Sequence, residues 1–303
     1  MKKIILILSI VLFSVNVAKA CEICGCGLGN YYLGLMPQFK HHFFGLRYQY
    51  KRFNTVMADD PTQFSRDYYK TMELWGGWNI GKHWQVIGIL PYNFVHQVSD
   101  DGVNNNQGIG DVALMVNYKV FSTNSATVKG RPVSQQFWIG AGVKLPTGKF
   151  DIDATDPALV AVANTQTGTA STDFMLNAMH NININEFGLT TNASYKINTV
   201  NRDNYAFGNR FSASSIASCT IKKRAMSFVP NLGLTYENTA INKLDKIKVA
   251  ETGGNLFGTS AGLEVSFNKF TVGANIQLPL SQDFASGQTE QKLRGMTHIS
   301  FAF

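Results

Sequence analysis

Residues 270–280 read Phe-Thr-Val-Gly-Ala-Asn-Ile-Gln-Leu-Pro-Leu. Apolar side chains occupy every second position of this stretch, and Thr271, Asn275 and Gln277 lie between them. Successive side chains of a β-strand point to opposite faces, whereas a helix would repeat its apolar residues every three to four positions. The stretch therefore predicts a strand with one apolar face and one polar face.

The same alternation recurs in 109–121, 187–198 and the last segment of the chain, with no helical stretch between the runs. Each run is long enough to cross a membrane as a tilted strand, which needs about 10 residues. Strands can span lipid only as a closed barrel, because closure pairs every backbone group. The predicted fold class is all-β, a transmembrane antiparallel up-and-down β-barrel of about 12 strands. These strands are expected near 39–52, 67–79, 84–96, 108–121, 135–146, 171–184, 187–199, 205–221, 225–237, 255–267, 270–281 and 290–303.

The predicted connections alternate between long polar loops and tight turns, as outer-membrane barrels require. The long loops are 53–66, 97–107, 147–170, 238–254 and 282–289, and the turns are 79–82, 185–186, 222–223 and 268–269. With both termini in the periplasm, the long loops would lie outside the cell, and 122–134 would be the one long connection on the periplasmic side. Prolines inside predicted strands are expected at bulges or strand ends, because proline cannot donate to the ladder; they are Pro91, Pro146, Pro230 and Pro279.

The polar faces of the strands are expected to line the lumen. Their charged members are Arg47, Glu73, Asp111, Lys119, Lys144, Asp173, Lys196, Arg210, Glu237, Glu264, Arg294 and His298, and Lys51 and Lys292 share the pattern. Two interpretations stay open: these charges pair across the lumen and stiffen the wall, or they select solutes by charge. About 12 strands enclose a bore wider than side chains alone fill at about 8, so small solutes are expected.

The composition narrows the classes of partner. Only 16% of the residues are charged, against about 25% in ordinary soluble domains, and 12% are aromatic. The net charge of +7 is spread along the chain, and the longest basic run is Lys222-Lys223-Arg224. Because no longer basic run is present, we expect no nucleic-acid partner.

The first twenty residues have the pattern of a cleavable signal peptide. Lys2 and Lys3 are followed by the apolar run 4–15 and by Ala18-Lys19-Ala20, a small-x-small cleavage site. The expected organisation is a signal peptide at 1–20, a Cys/Gly-rich periplasmic segment or plug at 21–38, and the outer-membrane barrel at 39–303.

Three cysteines follow the predicted cleavage site within six residues: Cys21, Cys24 and Cys26. Three thiolates at this spacing can bind one soft metal ion, copper or zinc. A disulfide that leaves one free thiol, or acylation of Cys21, would also explain the cluster. The fourth cysteine, Cys219, falls at a lipid-side position of its strand and is expected to be inert.

Three motifs carry a resemblance to a known family. They are Gly108-Ile109-Gly110-Asp111, Lys144-Leu145-Pro146-Thr147-Gly148-Lys149-Phe150-Asp151 and Gly168-Thr169-Ala170-Ser171-Thr172-Asp173. Over residues 40–303 the chain resembles outer-membrane barrels of the phenol-degradation meta-pathway transporter family, which are distantly similar to the long-chain fatty-acid transporter. In that family the third motif has a glycine where this chain has Ala170. The resemblance implies the same barrel architecture and a role in moving small hydrophobic solutes.

The leading functional prediction is a transporter or channel in the bacterial outer membrane for small solutes, hydrophobic or metal-linked. The alternative is a metal-binding or metal-sensing protein in which the barrel is an anchor. An enzyme is not expected, because acid and base groups do not cluster at the outer rim. The expected partners are outer-membrane lipid, the small-molecule solute and, during biogenesis, the barrel-assembly machinery, which would read the C-terminal Phe303.

Overall fold

The computed structural model describes residues 41–128, 131–151 and 163–303, with side chains described outside 124–131. Its strands are β1 (Phe43–Val56), β2 (Phe64–Ile80), β3 (Trp84–Ser99), β4 (Gly102–Ile109), β5 (Ala113–Val128), β6 (Arg131–Lys144), β7 (Asp173–Ile184), β8 (Phe187–Ile197), β9 (Tyr205–Ala206), β10 (Arg210–Cys219), β11 (Ile221–Lys223), β12 (Met226–Thr239), β13 (Lys243–Leu244), β14 (Ile247–Lys248), β15 (Gly254–Phe267), β16 (Phe270–Phe284) and β17 (Thr289–Ala302). A short 3-10 turn, Ala285–Gly287, lies between β16 and β17. The predicted signal peptide and the segment 21–38 lie outside the described residues.

Twelve of these strands form the wall of a closed antiparallel barrel, so the predicted fold class is confirmed. The wall runs in the order β1, β2, β3, β5, β6, β7, β8, β10, β12, β15, β16 and β17, and β17 pairs with β1. Following paired residues once around from Phe43 returns to β1 at Thr55, because the strands are tilted and staggered. Within the described barrel each of these strands therefore has a neighbour on both sides.

The two faces of the wall follow the alternation seen in the sequence. On β1 the side chains of Phe44 and Leu46 are about half exposed on the outside, whereas Phe43 and Arg47 are buried on the inside. Most outward positions of the other strands between the two ends of the barrel are likewise apolar, which suits contact with lipid tails. No helix in the described ranges is long and apolar enough to cross a bilayer.

The two ends of the barrel differ. One end, called the turn side, carries the tight turns at 81–83, 185–186 and 268–269. Asn185 and Asn268 take positive φ values of 53° and 51° there, a conformation that asparagine tolerates better than most residues. The opposite end, called the loop side, carries the connections 57–63, 145–172, 198–209 and 240–253.

The loop side bears a small cap of its own. Strands β9, β13 and β14 pair in a separate three-stranded sheet. Beneath it, Phe150, Tyr205 and Phe207 form a buried apolar cluster, and Asn242 donates a hydrogen bond of 2.8 Å to the Tyr205 hydroxyl. The predicted strand 205–221 is therefore wrong in its first part, since 205–206 belong to the cap and the wall strand begins at Arg210.

Three further predicted connections are wrong in detail. The turn predicted at 222–223 lies at 224–225, because β11 extends to Lys223. The polar stretch 97–107 is not a loop: β3 continues to Ser99 and pairs with β4 from Gly102. The predicted strand 108–121 is broken at 110–112, where β4 ends and β5 begins. The stretch 122–134 is largely strand, because β5 and β6 continue as a hairpin beyond the neighbouring turns.

The four prolines that the sequence placed inside strands all lie where a pairing is interrupted. Pro146 follows the end of β6, and Pro279 lies at a register shift between β15 and β16. At Pro91 the partner of β3 changes from β5 to β4. Pro230 lies on β12 between the stretches that pair with β10 and with β11. At each of these positions the ladder does not need the N–H that proline lacks, as the sequence predicted.

Candidate functional site: the barrel lumen

The inward face of the wall carries the charged residues that the sequence assigned to the lumen. Eleven of the twelve have buried side chains, and Lys119 is half-buried, with its ammonium 4.7 Å from the centre of the Trp138 ring. Lys292 differs, because β17 shifts register near Leu293; this lysine is exposed and pairs with Glu290. Which of the inward residues contact a solute stays a prediction.

Four of these residues form one cluster of alternating charge, which we call the charge cluster: Asp111, Lys144, Asp173 and Lys196. The Lys144 ammonium lies 2.6 Å from the Asp111 carboxylate and 2.9 Å from that of Asp173. Lys196 approaches the same oxygen of Asp173 at 3.2 Å. Lys144 and Asp173 are fully buried. Charges buried this deeply persist only when paired, so the cluster works as one neutral unit.

The charge cluster also binds the backbone of the connection 145–172. Asp111 accepts hydrogen bonds from the backbone N–H of Gly148 at 2.9 Å and of Thr169 at 3.0 Å. Thr169 donates its hydroxyl to the same carboxylate at 2.8 Å and contacts the Lys144 ammonium. Asp173 accepts the Ser171 hydroxyl at 2.8 Å. The three motifs that carry the family resemblance thus meet at a single point.

The same junction repairs the wall where β4 and β5 are interrupted. The Thr147 hydroxyl donates to the carbonyl of Gly110 at 2.8 Å and accepts the N–H of Val112 at 2.9 Å. These bonds replace the ladder contacts that the wall loses at the break, where buried backbone groups need partners. The chain at the break between β4 and β5 is therefore held in an ordered conformation by hydrogen bonds.

Residues 163–171, called the lumen segment, lie against the inner face of β3 and β4. Asn93 donates to the carbonyl of Thr167 at 2.9 Å, and Asn106 donates to that of Thr165 at 3.1 Å. Every side chain from 163 to 169 is buried. The loop side of the lumen is thus narrowed by a segment of chain that enters from the connection 145–172.

Close backbone packing holds the lumen segment in place. A Cβ atom at Gly168 would lie 2.6 Å from the carbonyl carbon of Gly148, and a Cβ atom at Gly148 would meet Gly168 equally closely. Both positions therefore require glycine. At Ala170 φ is +53°, in the left-handed region that favours glycine, which explains why a glycine in the family motif suits this position.

A second ionic group lies on the opposite wall. Arg294 pairs with Glu237 through two nitrogens, and its guanidinium also donates to Gln291 at 2.9 Å and to Gln277 at 3.3 Å. Arg210 donates to the Thr239 hydroxyl at 3.1 Å. These contacts join β10, β12, β16 and β17 across the interior.

A third group lies nearer the turn side. Arg47 pairs with Glu73, and its guanidinium lies 5.0 Å from the centre of the Trp75 ring. His298 lies 2.9 Å from the Glu264 carboxylate and contacts the same Trp75 ring edge-on at 5.9 Å. The Trp75 indole thus lies between the Arg47–Glu73 pair and the His298–Glu264 pair. Charged and aromatic side chains are therefore adjacent on the inner wall.

The interior also holds a cluster of apolar side chains packed against one another, which the sequence reasoning missed. Inward side chains of six neighbouring strands form one buried group, called the apolar lining. Its members are Phe43, Trp75, Ile87, Ile89, Ala113, Met115, Trp138, Met175 and Met179. The expectation of a uniformly polar inward face is therefore wrong. The parity of Met115, Met175 and Met179 with inward charged residues is the sequence signal that could have revealed it.

The predicted metal ligands Cys21, Cys24 and Cys26 lie outside the described residues. Within the described ranges no group of three His, Cys, Asp or Glu side chains is arranged to hold a metal ion. Cys219 is a free thiol on the outward face of β10.

Comparison with known families bears on this geometry. The model of the family described as "Putative MetA-pathway of phenol degradation" matches residues 60–287. The chain belongs to this family. The match includes all three motifs that form the junction between the charge cluster and the lumen segment. A search among curated proteins gave no match.

A solved structure supports the fold. An outer membrane channel from Pseudomonas putida F1 has a TM-score of 0.64 and 12% identity, covering 91% of this chain and 100% of its own. The β domain of the Bordetella autotransporter BrkA has a TM-score of 0.47 and 11% identity over 87% of this chain and 100% of its own. The transport unit of the Escherichia coli autotransporter AIDA-I has a TM-score of 0.47 and 10% identity, over 90% and 94% respectively. This member of the phenol-degradation family is thus a bacterial outer-membrane β-barrel.

Proposed function

We propose that this barrel conducts small, predominantly hydrophobic solutes across the outer membrane, small aromatic molecules with one polar group in particular. The observation that carries the proposal is the apolar lining. The inward face of a water-filled pore is expected to be polar. Trp75, Trp138, Met175 and Met179 lie on the inward face, where they do not contact lipid, so they favour an apolar solute. Methionine is also suited to binding rings, through favourable contacts of its sulfur with aromatic edges.

The neighbouring ion pairs fit the polar end of such a solute. Trp75 contacts both Arg47 and His298, so a ring packed on the apolar lining would lie close to hydrogen-bonding groups. Binding sites for small molecules commonly combine apolar walls with a few polar groups that set orientation. The family description, which refers to phenol degradation, agrees with a solute of this size and chemistry.

Planar-bilayer conductance with an aromatic blocker tests the proposal. Phenol added to the wild-type channel should reduce ionic current in a concentration-dependent manner. Met175→Gln combined with Met179→Gln preserves side-chain length but makes the lining polar, and should raise the half-blocking concentration at least threefold. Met72→Gln is the matched control, because Met72 is 48% exposed on the outer face of β2. Equal block of all three channels would contradict an aromatic path along the lining.

A second candidate is a metal-binding protein anchored by the barrel. The Cys21, Cys24 and Cys26 spacing in the sequence favours it. Stoichiometric copper or zinc in the purified protein, lost on replacing the three cysteines by serine, together with a silent bilayer, would select this candidate. Conductance without bound metal would exclude it.

A further inference from the structure

The outer face of β1, β2 and β3 changes character toward the loop side. On β2 the outward side chains Ile80, Trp78, Leu74 and Met72 are apolar and about half exposed. The next outward position is Lys70, which is exposed and charged. From Ile80 to Lys70 the strand rises by about 25 Å along the membrane normal at the usual tilt, which is the height of the apolar band of such barrels.

Four basic side chains surround one tyrosine just beyond this band. We call Arg52, Arg66, Lys70 and His96, with Tyr68 at their centre, the basic patch. Arg52 and His96 are the cross-strand partners of Tyr68 on β1 and β3, and Arg66 and Lys70 flank it two residues away on β2. All five therefore share the outer face.

Ring contacts order the basic patch. The Arg52 guanidinium lies 5.4 Å from the centre of the Tyr68 ring, and the His96 ring lies 5.6 Å from it on the other side. Arg66 stacks over Phe64 at 5.3 Å. Arg52 also donates one hydrogen bond from its Nε to Asn54 at 3.4 Å, and a guanidinium stacked on a ring still carries further N–H donors for a ligand.

No carboxylate of the described residues forms an ion pair with Arg52, Arg66 or Lys70. Elsewhere on the loop side, exposed Lys292 and exposed Arg202 each pair with a carboxylate, that of Glu290 and that of Asp203. Near the loop-side ends of β8, β10 and β12 the outward residues are Tyr195, Phe211 and Tyr236, which carry no charge. If these residues served only to anchor the barrel at the membrane interface, tyrosine would suffice on β1, β2 and β3 as it does on β8 and β12. The basic residues therefore indicate an anionic ligand at this place.

We propose that the basic patch binds the phosphate groups of lipopolysaccharide in the outer leaflet. The longer loops of outer-membrane barrels face outward, so the lipid at this level is the phosphorylated glycolipid of that leaflet. Arginine matches phosphate oxygens with paired N–H donors, and such charge-assisted bonds strengthen at the boundary with the apolar band. The apolar residues below the patch then contact the acyl chains of the same lipid.

Binding of purified lipopolysaccharide to the folded protein in mild non-ionic detergent tests the proposal. The variant combines Arg52→Gln, Arg66→Gln and Lys70→Gln. The control combines Lys222→Gln, Lys223→Gln and Arg224→Gln, which remove the same charge from exposed positions on the turn side. Folding of each protein is verified by its faster mobility on an unheated gel. We expect the patch variant to bind at least tenfold more weakly and the turn-side control to bind as the wild type does.

Two further ligands identify the recognised group. Lipopolysaccharide stripped of its phosphates should bind the wild type no better than it binds the patch variant. Phosphatidylglycerol should bind with at least tenfold lower affinity, because one phosphodiester cannot engage several cations together. The proposal fails if the patch variant retains wild-type affinity, if both triple variants lose affinity equally, or if either comparison lipid binds as tightly as intact lipopolysaccharide.

Discussion

Lys144 shows at the scale of one residue how the lumen depends on paired charges. Its ammonium contacts two buried carboxylates, those of Asp111 and Asp173, and its own side chain is fully buried. Removing the cation leaves both acids without their shared partner in a low-dielectric site. Such a loss is far costlier than the net contribution of the intact pair.

Lys144→Met should therefore lower the free energy of unfolding by about 3–5 kcal/mol, the range for breaking a buried ion pair. Urea unfolding in lipid vesicles, followed by tryptophan fluorescence, measures it. Lys119→Met is the control, because this half-buried lysine contacts the Trp138 ring. Equal, small effects of the two substitutions would show that Lys144 is not the centre of the cluster.

The contact between Gly148 and Gly168 leads to a second prediction at this scale. Gly168→Ala places a methyl group against the Gly148 backbone, which cannot move without displacing the lumen segment. Bilayer conductance of this variant should rise, because the displaced segment no longer narrows the loop side. Gly88→Ala serves as the control, since its Cβ would meet only Leu114 at an ordinary 3.5 Å. Unchanged conductance would mean that the segment does not limit the current.

At the scale of the element, the lumen segment is held from both sides. The charge cluster secures its end at Thr169, and the Asn93 and Asn106 side chains secure its middle. These amides contact backbone carbonyls, so they hold the segment in position whichever side chains it carries.

Replacing Asn93 and Asn106 together by alanine should raise conductance and increase current noise, because the segment then loses its two hydrogen bonds to these amides of β3 and β4. The control is Asn105→Ala, whose side chain bonds to His96 on the outer face. Single-channel recording distinguishes the two. If the double variant matches the control, these two amides do not determine the position of the segment.

The wall strands could be predicted from the sequence and the loop-side elements could not. Residues 270–280 alternate because one face meets lipid and the other does not. In contrast β4 reads Gly-Val-Asn-Asn-Asn-Gln-Gly-Ile, a polar run with no alternation, because both of its faces lie beyond the apolar band. The charged positions of the lumen followed from parity with their neighbours. The apolar lining could have followed from the same parity, because Met115, Met175 and Met179 share it with inward charged residues.

At the scale of the whole molecule, the interior is nearly neutral. Each acidic group that the structure places there has a basic or hydrogen-bonding partner; examples are Glu73 with Arg47 and Asp67 with Gln97. Paired charges cancel at a distance, so they produce little net field along the bore.

We therefore expect weak ion selectivity, seen as a small reversal potential in a tenfold KCl gradient. Glu237→Gln removes the acid that faces Arg294 and should shift the reversal potential toward anion preference. Glu290→Gln, exposed at the rim beside Lys292, should leave it unchanged. A strongly selective wild-type channel would contradict the balance of interior charge.

The pairing of β1 with β17 has a consequence for biogenesis. Phe43 lies opposite Ala302, so the seam joins the two strands of the wall that are farthest apart in sequence. Until that seam forms, the outer edges of β1 and β17, or of β1 and β16 if β17 is missing, present a row of unpaired N–H and C=O groups that lipid cannot satisfy. A ribosome that stalls before Thr289 therefore releases a product with no membrane-stable form, however many strands it has completed. Whether β1 has paired with β17 therefore distinguishes full-length chains from fragments.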